Sequence, residues 1–388
     1  MGMKKFFSFS VFIFIVLFVC SNVFIMLIGA NTNNKIYILS TSAPEDEYVL
    51  PKYKWGECIS NFVDTTKLDI INIDANICFI NSKEYKEFIS KLKRNNYVLL
   101  QFVDIYDEFS EDDFNTIQKL NSVYSNCVKD IKKVGAVPII ITPEYINKSE
   151  SEVKNEYYEN IRNSILKWAN EKNVKVVDLT EITSNVFDGI VNNFGKQYLD
   201  SIYTKSKSNR YAFNYCGAVY VAEFVTESLS QMEGIKEYVK EVTTDVLPHI
   251  SRGEFIKQLL EVTGESTLVP MNEVFNDVKK DSKYAVYIET AKVNGIVYGS
   301  TDGNFYPDRN IQIDEACVIA DRLLQTKGIL LNKSLTNEYM LKIYGVDKYA
   351  IDSVSRFYSV AEKGINYDAY YLMSIYGIYN MVYDYLVE

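Results

Sequence analysis

Residues 135–142 read GAVPIIIT: the run from Ala136 to Ile141 is apolar throughout, with Gly135 before it and Thr142 after. A stretch this short and this rich in β-branched side chains reads as a strand buried on both faces. KIYILS (35–40), LDIINI (68–73), YVLLQFV (97–103) and VKVVDL (174–179) have the same character. The segments between them differ in period. SKEYKEFISKLKR (82–94), FNTIQKLNSVYSNCVKDIKKVG (114–135) and SEVKNEYYENIRNSILKWANEKN (151–173) carry apolar residues at helical spacing and basic residues near their ends, and Gly135 supplies a stop. Strand and helix therefore alternate from Lys35 to about Ser230, which predicts a parallel sheet with helices on both faces. Ligands of such sheets gather at the carboxyl ends of the strands.

After Gly234 the pattern changes: strand-like runs give way to helical periodicity, and turn words such as GSTDGNFYPDR (299–309) appear. At 388 residues the chain exceeds the ~100–200 typical of one domain, so two folded units are expected. The reading places an α/β unit at 35–233, a linker at 234–249 that includes KEVTTDVLPH, and a mainly helical unit at 250–388.

Charge and termini bound the partners. Against 41 basic residues stand 51 acidic ones, a net charge of −10, with no long basic run outside the N-terminus, so nucleic acid is excluded as a partner. An anionic polymer is repelled in general, and binding one requires a local pocket. Lys4 and Lys5 precede an uncharged apolar run from Phe6 to Gly29, so residues 1–30 read as an export signal. The run exceeds the ~7–15 residues of a cleaved core and suffices to span ~30 Å of hydrocarbon, which leaves cleavage after IGA (28–30) and retention as a membrane anchor both open. Cys20 follows Val19 instead of a small residue, against a lipoprotein, and the remaining cysteines form no CxxC pair. Buried free thiols are expected, with no metal and no cofactor.

The words IYILSTSA (36–43), KWGECI (54–59), VLLQF (98–102), GAVPIIITP (135–143), VKVVDL and FNYCGAVYVAEFV (213–225) come in an order that resembles the SGNH hydrolases, in particular the rhamnogalacturonan acetylesterase-like branch. The resemblance covers the α/β unit and implies a flavodoxin-like, three-layer sandwich. In that family a serine at the end of the first strand attacks an ester while backbone and side-chain donors hold the oxyanion. Aligned on IYIL, the family's Gly-Asp-Ser word becomes Ser40, Thr41 and Ser42, which leaves Ser42 at the nucleophile's place. The oxyanion glycine falls near Ile77, the GHND word is Val103, Asp104, Ile105 and Tyr106, and the Asp and His of the final loop are Asn209 and Ala212. A serine hydroxyl needs a base within hydrogen-bond reach. Losing one oxyanion donor costs about 3–4 kcal/mol, and losing a triad member costs several powers of ten in rate. A catalytically degenerate fold is the expectation, with esterase activity through Ser42 and an unfamiliar base as the alternative. Other candidate bases have plainer readings: His249, four residues after Asp245, as a linker histidine; Glu57, Asp74 and Asp104 as hydrogen-bonded or solvated carboxylates.

In the second unit, FNDVKKDSKYAVYIETAKVNGIVYGSTDGNFYPDRNIQIDEACVIADRLLQ (275–325) resembles an S-layer homology repeat. The family's ordered words are all present: Phe275-x-Asp277-Val278, a helix, Gly295-Ile296-x-x-Gly299, Asp302-Gly303-x-Phe305-x-Pro307 and a capped helix. ISRGEFIKQLLEVTG (250–264) resembles the Ile-Thr-Arg-Ala-Glu word that opens such a helix, with Ser251 and Glu254 spaced as a capping box, and 344–365 resembles the start of a further repeat. The resemblance implies non-covalent attachment to a secondary cell wall polysaccharide, one often pyruvylated, in grooves between repeats. Arg252 takes the place of the arginine that meets the ketal carboxylate, and Ile313 stands at that place in the second word. Arg309 and Lys280 are read as substitutes for it, Tyr298 and Tyr306 as faces for a sugar, and Glu254, Gly299, Asp302 and Gly303 complete the expected site. Together these readings describe an exported, cell-surface protein of Gram-positive type. A membrane contact enters only if the N-terminal segment is retained.

Overall fold

Five strands, β1 (Asn34–Ser40), β2 (Leu68–Asp74), β3 (Tyr97–Gln101), β4 (Val137–Ile141) and β5 (Lys175–Val177), form one parallel sheet in the order β2-β1-β3-β4-β5. Each predicted apolar run is a strand: β1 and β2 extend one residue beyond their runs, and β3, β4 and β5 are trimmed by a residue or two at their ends. The computed structural model describes residues 34–41, 52–102, 113–145, 152–204, 212–240, 249–264, 267, 274–333, 346–361 and 371–387. The segment 1–30, Ser42, Val103 to Tyr106, Asn209 and Asp245 lie outside the described residues.

Helices cover both faces, as continuous apolar runs demand. One face holds α2 (Lys83–Lys91), α3 (Asp113–Val134) and α4 (Glu152–Lys172), whose Phe88, Tyr124 and Ile165 join Val98, Leu100 and Ile140 in one core. On the other face lie α1 (Trp55–Cys58), α5 (Leu179–Phe194), α6 (Lys196–Asp200) and α7 (Tyr215–Ser230), with Val221, Ala222 and Val225 against Ile38, Leu99 and Ile139. A short antiparallel pair, β6 (Tyr203–Thr204) and β7 (Ala212–Phe213), leads into α7. The side chain of Asn214 accepts from the Gly217 amide at 3.1 Å and so caps α7.

The C-terminal part is helical: α8 (Arg252–Val262), α9 (Ala285–Val293), α10 (Ile313–Thr326), α11 (Ile351–Val360) and α12 (Tyr371–Val387). Its core is continuous with the α7 side of the sheet. The joint is α12, which packs on α8 and α10 and reaches α6 and α7. The Tyr376 hydroxyl is 3.1 Å from Gln258 Oε1, Tyr379 donates to the Phe255 carbonyl at 3.2 Å, and the Asn380 amide donates to the Asp200 carbonyl at 3.2 Å. One tyrosine-rich helix thus ties the two parts together. Among the described residues no helix is long and apolar enough to cross a membrane. The described cysteines are free: Cys58, Cys127, Cys216 and Cys317 are buried, and Cys78 is exposed.

Candidate functional site

The groove in the helical part begins with how α8 starts. Ser251 Oγ accepts from the Glu254 amide at 3.2 Å, the cap its sequence announces. This first turn is stitched to the segment before α10: Arg252 N–H donates to Arg309 O at 2.9 Å, Gly253 N–H to Pro307 O at 2.8 Å, and Ile311 N–H to Ile250 O at 3.0 Å. Gly253 permits this closeness, because a Cβ there would stand 2.4 Å from the Tyr284 ring.

The turn word builds the opposite wall. Asp277 accepts the Phe305 and Tyr306 amides at 2.8 and 2.6 Å, and Asp302 accepts the Asn304 amide at 3.0 Å and the Tyr306 hydroxyl. The Tyr306 bond and the Asn304 amide hold the Asp302 carboxyl below its ordinary range. Tyr306 adopts a left-handed φ of 60°, a conformation that costs a non-glycine residue about 1–2 kcal/mol and that these bonds hold in place. Gly299, at φ 75°, lies so close to Phe275 that a Cβ would meet its ring at 2.2 Å.

Between these walls lies a groove of about 450 Å³, lined by Arg252, Tyr298, Gly299, Tyr306 and Arg309 among the residues singled out from sequence, and also by Glu315, Arg322 and Tyr349. The other sequence candidates do not line it. Glu254 sits on α8 and accepts from Gln258 and Lys257 at 3.0 and 3.4 Å, Asp302 and Gly303 build the turn behind Tyr306, and Lys280 is exposed. Arg252 is 9% exposed: its Nε donates to Phe305 O at 3.0 Å, its guanidinium lies 4.7 Å from the Phe305 ring, and it pairs with Glu315 at 3.0 Å. Arg309 reaches the same Glu315 oxygen at 2.6 Å. Burial lowers the Arg252 pKa. It also pushes the Glu315 carboxyl up, but the two guanidiniums and the Gln312 amide outweigh it and hold that carboxyl below its ordinary range. Burial, reinforced by Asp314, Glu315 and Asp347, raises the Tyr349 phenol to about 12. Arg322 had a sequence signal, since Glu315, Ile319 and Arg322 recur at i, i+4 and i+7 on α10. Tyr349 had none, lying in a weaker repeat whose words are incomplete.

The carboxyl edge of the sheet is a second place where polar groups converge. The Trp55 indole donates to Gln101 Oε1 at 2.8 Å, and the Gln101 amide faces the Thr142 carbonyl at 3.4 Å and the Glu144 carboxyl. Glu144 is 3% exposed and its Oε2 has no hydrogen-bond partner. Burial raises this acid to about 7, against the opposing pull of its own amide and of Gln101. Two of the carboxylates weighed as bases are otherwise engaged: Lys54 lies 3.4 Å from Asp74, and Glu57 accepts the Lys54 amide at 3.3 Å, while Asp104 lies outside the described residues. Ala212 is fully buried in β7, and the His249 ring stacks on Tyr371 with centroids 4.7 Å apart. Among the described residues no cluster of acid, cysteine or histidine side chains could hold a metal.

These features define a two-part molecule, a parallel α/β unit joined to a helical unit with a basic groove. The family model of the S-layer homology domain matches residues 274–312, the stretch that spans α9 and the turn word. No curated protein matches the chain. Among solved structures, the YxiM protein of Bacillus subtilis is similar at 21% identity over 52% of this chain, with a TM-score of 0.42, and the chain spans 57% of that protein's length. The acetylxylan esterase Axe2 of Geobacillus stearothermophilus is similar at 12% identity over 53% of this chain and 96% of its own, with a TM-score of 0.38. The acetyl xylan esterase AlAXEase is similar at 14% identity over 50% and 99%, with a TM-score of 0.36.

Proposed function

We propose that the protein is exported and holds non-covalently to a secondary cell wall polysaccharide through the groove between α8 and α10, displaying an α/β unit that no longer cleaves esters. The observation that carries this reading is the coincidence of the matched S-layer homology domain with a formed groove whose charge runs against the rest of the chain. Its lining sets Arg252, Arg309 and Arg322 against Glu315, whereas the chain carries a net charge of −10. A local cationic site is what an acidic glycan requires on an acidic protein. Pyruvylated sugars are the glycan class we infer, because a ketal carboxylate suits a guanidinium fork. The inactive reading is supported by an alanine at the histidine's place and by carboxylates already taken up near α1.

Three experiments test it. Purified wall sacculi should retain the protein, and sacculi stripped of acid-labile polysaccharide should not; equal retention on both removes the glycan reading. A chromogenic acetyl ester should be hydrolysed no faster by the wild type than by Ser42→Ala. Turnover that vanishes with the serine would make the protein an esterase. Sequencing the mature N-terminus distinguishes a cleaved signal from a membrane anchor.

A further inference from the structure

The positive charge of the groove is divided in two. Arg252 and Arg309 converge on one Glu315 oxygen at 3.0 and 2.6 Å, and Arg252 also gives its Nε to the Phe305 carbonyl. A carboxylate arriving there must displace, or share with, a protein carboxylate that is already in place and hydrogen-bonded to the Gln312 amide. Two helical turns further along α10, roughly 10 Å away at 1.5 Å per residue, lies Arg322. Its guanidinium sits over the Tyr298 ring, 4.5 Å from the centroid, and it makes no ion pair or hydrogen bond among the described residues. Lys292 flanks the same ring at 5.8 Å, and its Nζ is held by the Tyr298 carbonyl at 3.1 Å, again with no acid beside it among the described residues. Tyr298 is 60% exposed. At the groove's edge stands an aromatic face in open solvent that carries Arg322 and, beside it, Lys292, two cations that no acid among the described residues compensates.

We propose that Arg322, supported by Tyr298, is the residue that recognises the carboxylate of the wall glycan, and that Arg252 is a positioning residue fastening α8 to the Phe305 segment. This inference rests on the wall-binding reading above and narrows it. A guanidinium stacked on a ring can still present donors to a carboxylate, and the ring limits the rotamers it must give up on binding. Arg252 meets a different need. Buried and paired, it satisfies the Phe305 carbonyl and shares the Glu315 carboxylate with Arg309, which fastens the two sides of the wall.

The test is titration calorimetry of the full chain with two small probes, a hexosamine glycoside bearing a pyruvate ketal and the same glycoside with free hydroxyls, alongside retention on intact sacculi. Wild type should prefer the ketal sugar. R322Q should bind the ketal sugar about tenfold to a hundredfold more weakly, the worth of a hydrogen bond to a charged group, and the ketal-free sugar as wild type does. R322K should recover only part of the loss, because it keeps the charge without the fork. Tyr298→Ala should weaken ketal binding while keeping the guanidinium, an independent check if R322Q lowers the melting temperature. Wild-type affinity in R322Q, or a wild type that holds sacculi but ignores the ketal, overturns this inference and leaves wall binding standing. A wild type that binds neither probe nor sacculi overturns both.

Discussion

Glu144 makes the sharpest prediction about stability. Its carboxyl is 3% exposed, one oxygen is without a partner, and burial raises it from 4.5 to about 7. An acid whose folded pKa lies above its unfolded value stabilises the fold fully below the unfolded value, and that stability is lost as pH rises to the folded value. In this chain the loss runs from about pH 4.5 to about pH 7 and then levels. At 1.36 kcal/mol per pH unit it amounts to about 3 kcal/mol. Glu144→Gln keeps an amide oxygen in the same place and cannot ionise. Urea unfolding of both proteins at a series of pH values isolates this group, because every other titration cancels in the difference. The variant should gain on wild type by about 3 kcal/mol between pH 4.5 and pH 7. A difference that stays level from acid to alkali would refute the assignment of a buried, neutral acid.

Three further outcomes follow from the groove and the joint. Glu315→Gln leaves buried Arg252 without its anion and should lower stability by about 3–5 kcal/mol in the same unfolding assay; a negligible loss would mean that the pair is solvated. Gly299→Ala forces a Cβ into the Phe275 ring at a left-handed φ and should cost about 2–4 kcal/mol, read as a lowered denaturation midpoint, with loss of sacculus binding. Tyr379→Ala removes a fully buried ring stacked 5.0 Å from Phe255 and should cost about 3–5 kcal/mol. Amide exchange should then quicken in α12 while the strands of the sheet stay protected.

The parallel sheet was legible because strands covered on both faces leave an unbroken apolar run, as in Ile139 to Ile141, and because the helices between them carry a clear stripe. The turn word was legible for a related reason: Gly299 and Asp302 serve backbone geometry, which few residue types can supply. What sequence did not show was division of labour among like charges. Arg252, Arg309 and Arg322 look alike in a string, and only Glu315, brought beside two of them by the stitching of α8 to the 305–311 segment, separates a compensated pair from an uncompensated cation. The joint was hidden for another reason. Helix α12 is apolar over most of its surface, and periodicity says that such a helix is buried without saying against what.

Ile313 shows how the helical part closes the face beside its second word. In the wall-binding reading proposed above it stands where the second word would carry an arginine, and it is 4% exposed within the shared core. A guanidinium there would be buried among apolar side chains, which is costly unless it is paired. The neighbouring surface is closed by α12, whose Tyr371 hydroxyl donates to the Ile311 carbonyl at 2.6 Å while its ring stacks on His249. The Ile311 carbonyl is thus satisfied from within the protein. The substitution at Ile313 and the docking of α12 fit each other: an apolar residue where the family pattern expects a cation lets a tyrosine-rich helix cover that face, and the same helix then reaches the α/β unit through Asn380. The closed face at Ile313 and the firm seat of the α/β unit are in this way two consequences of one packing choice.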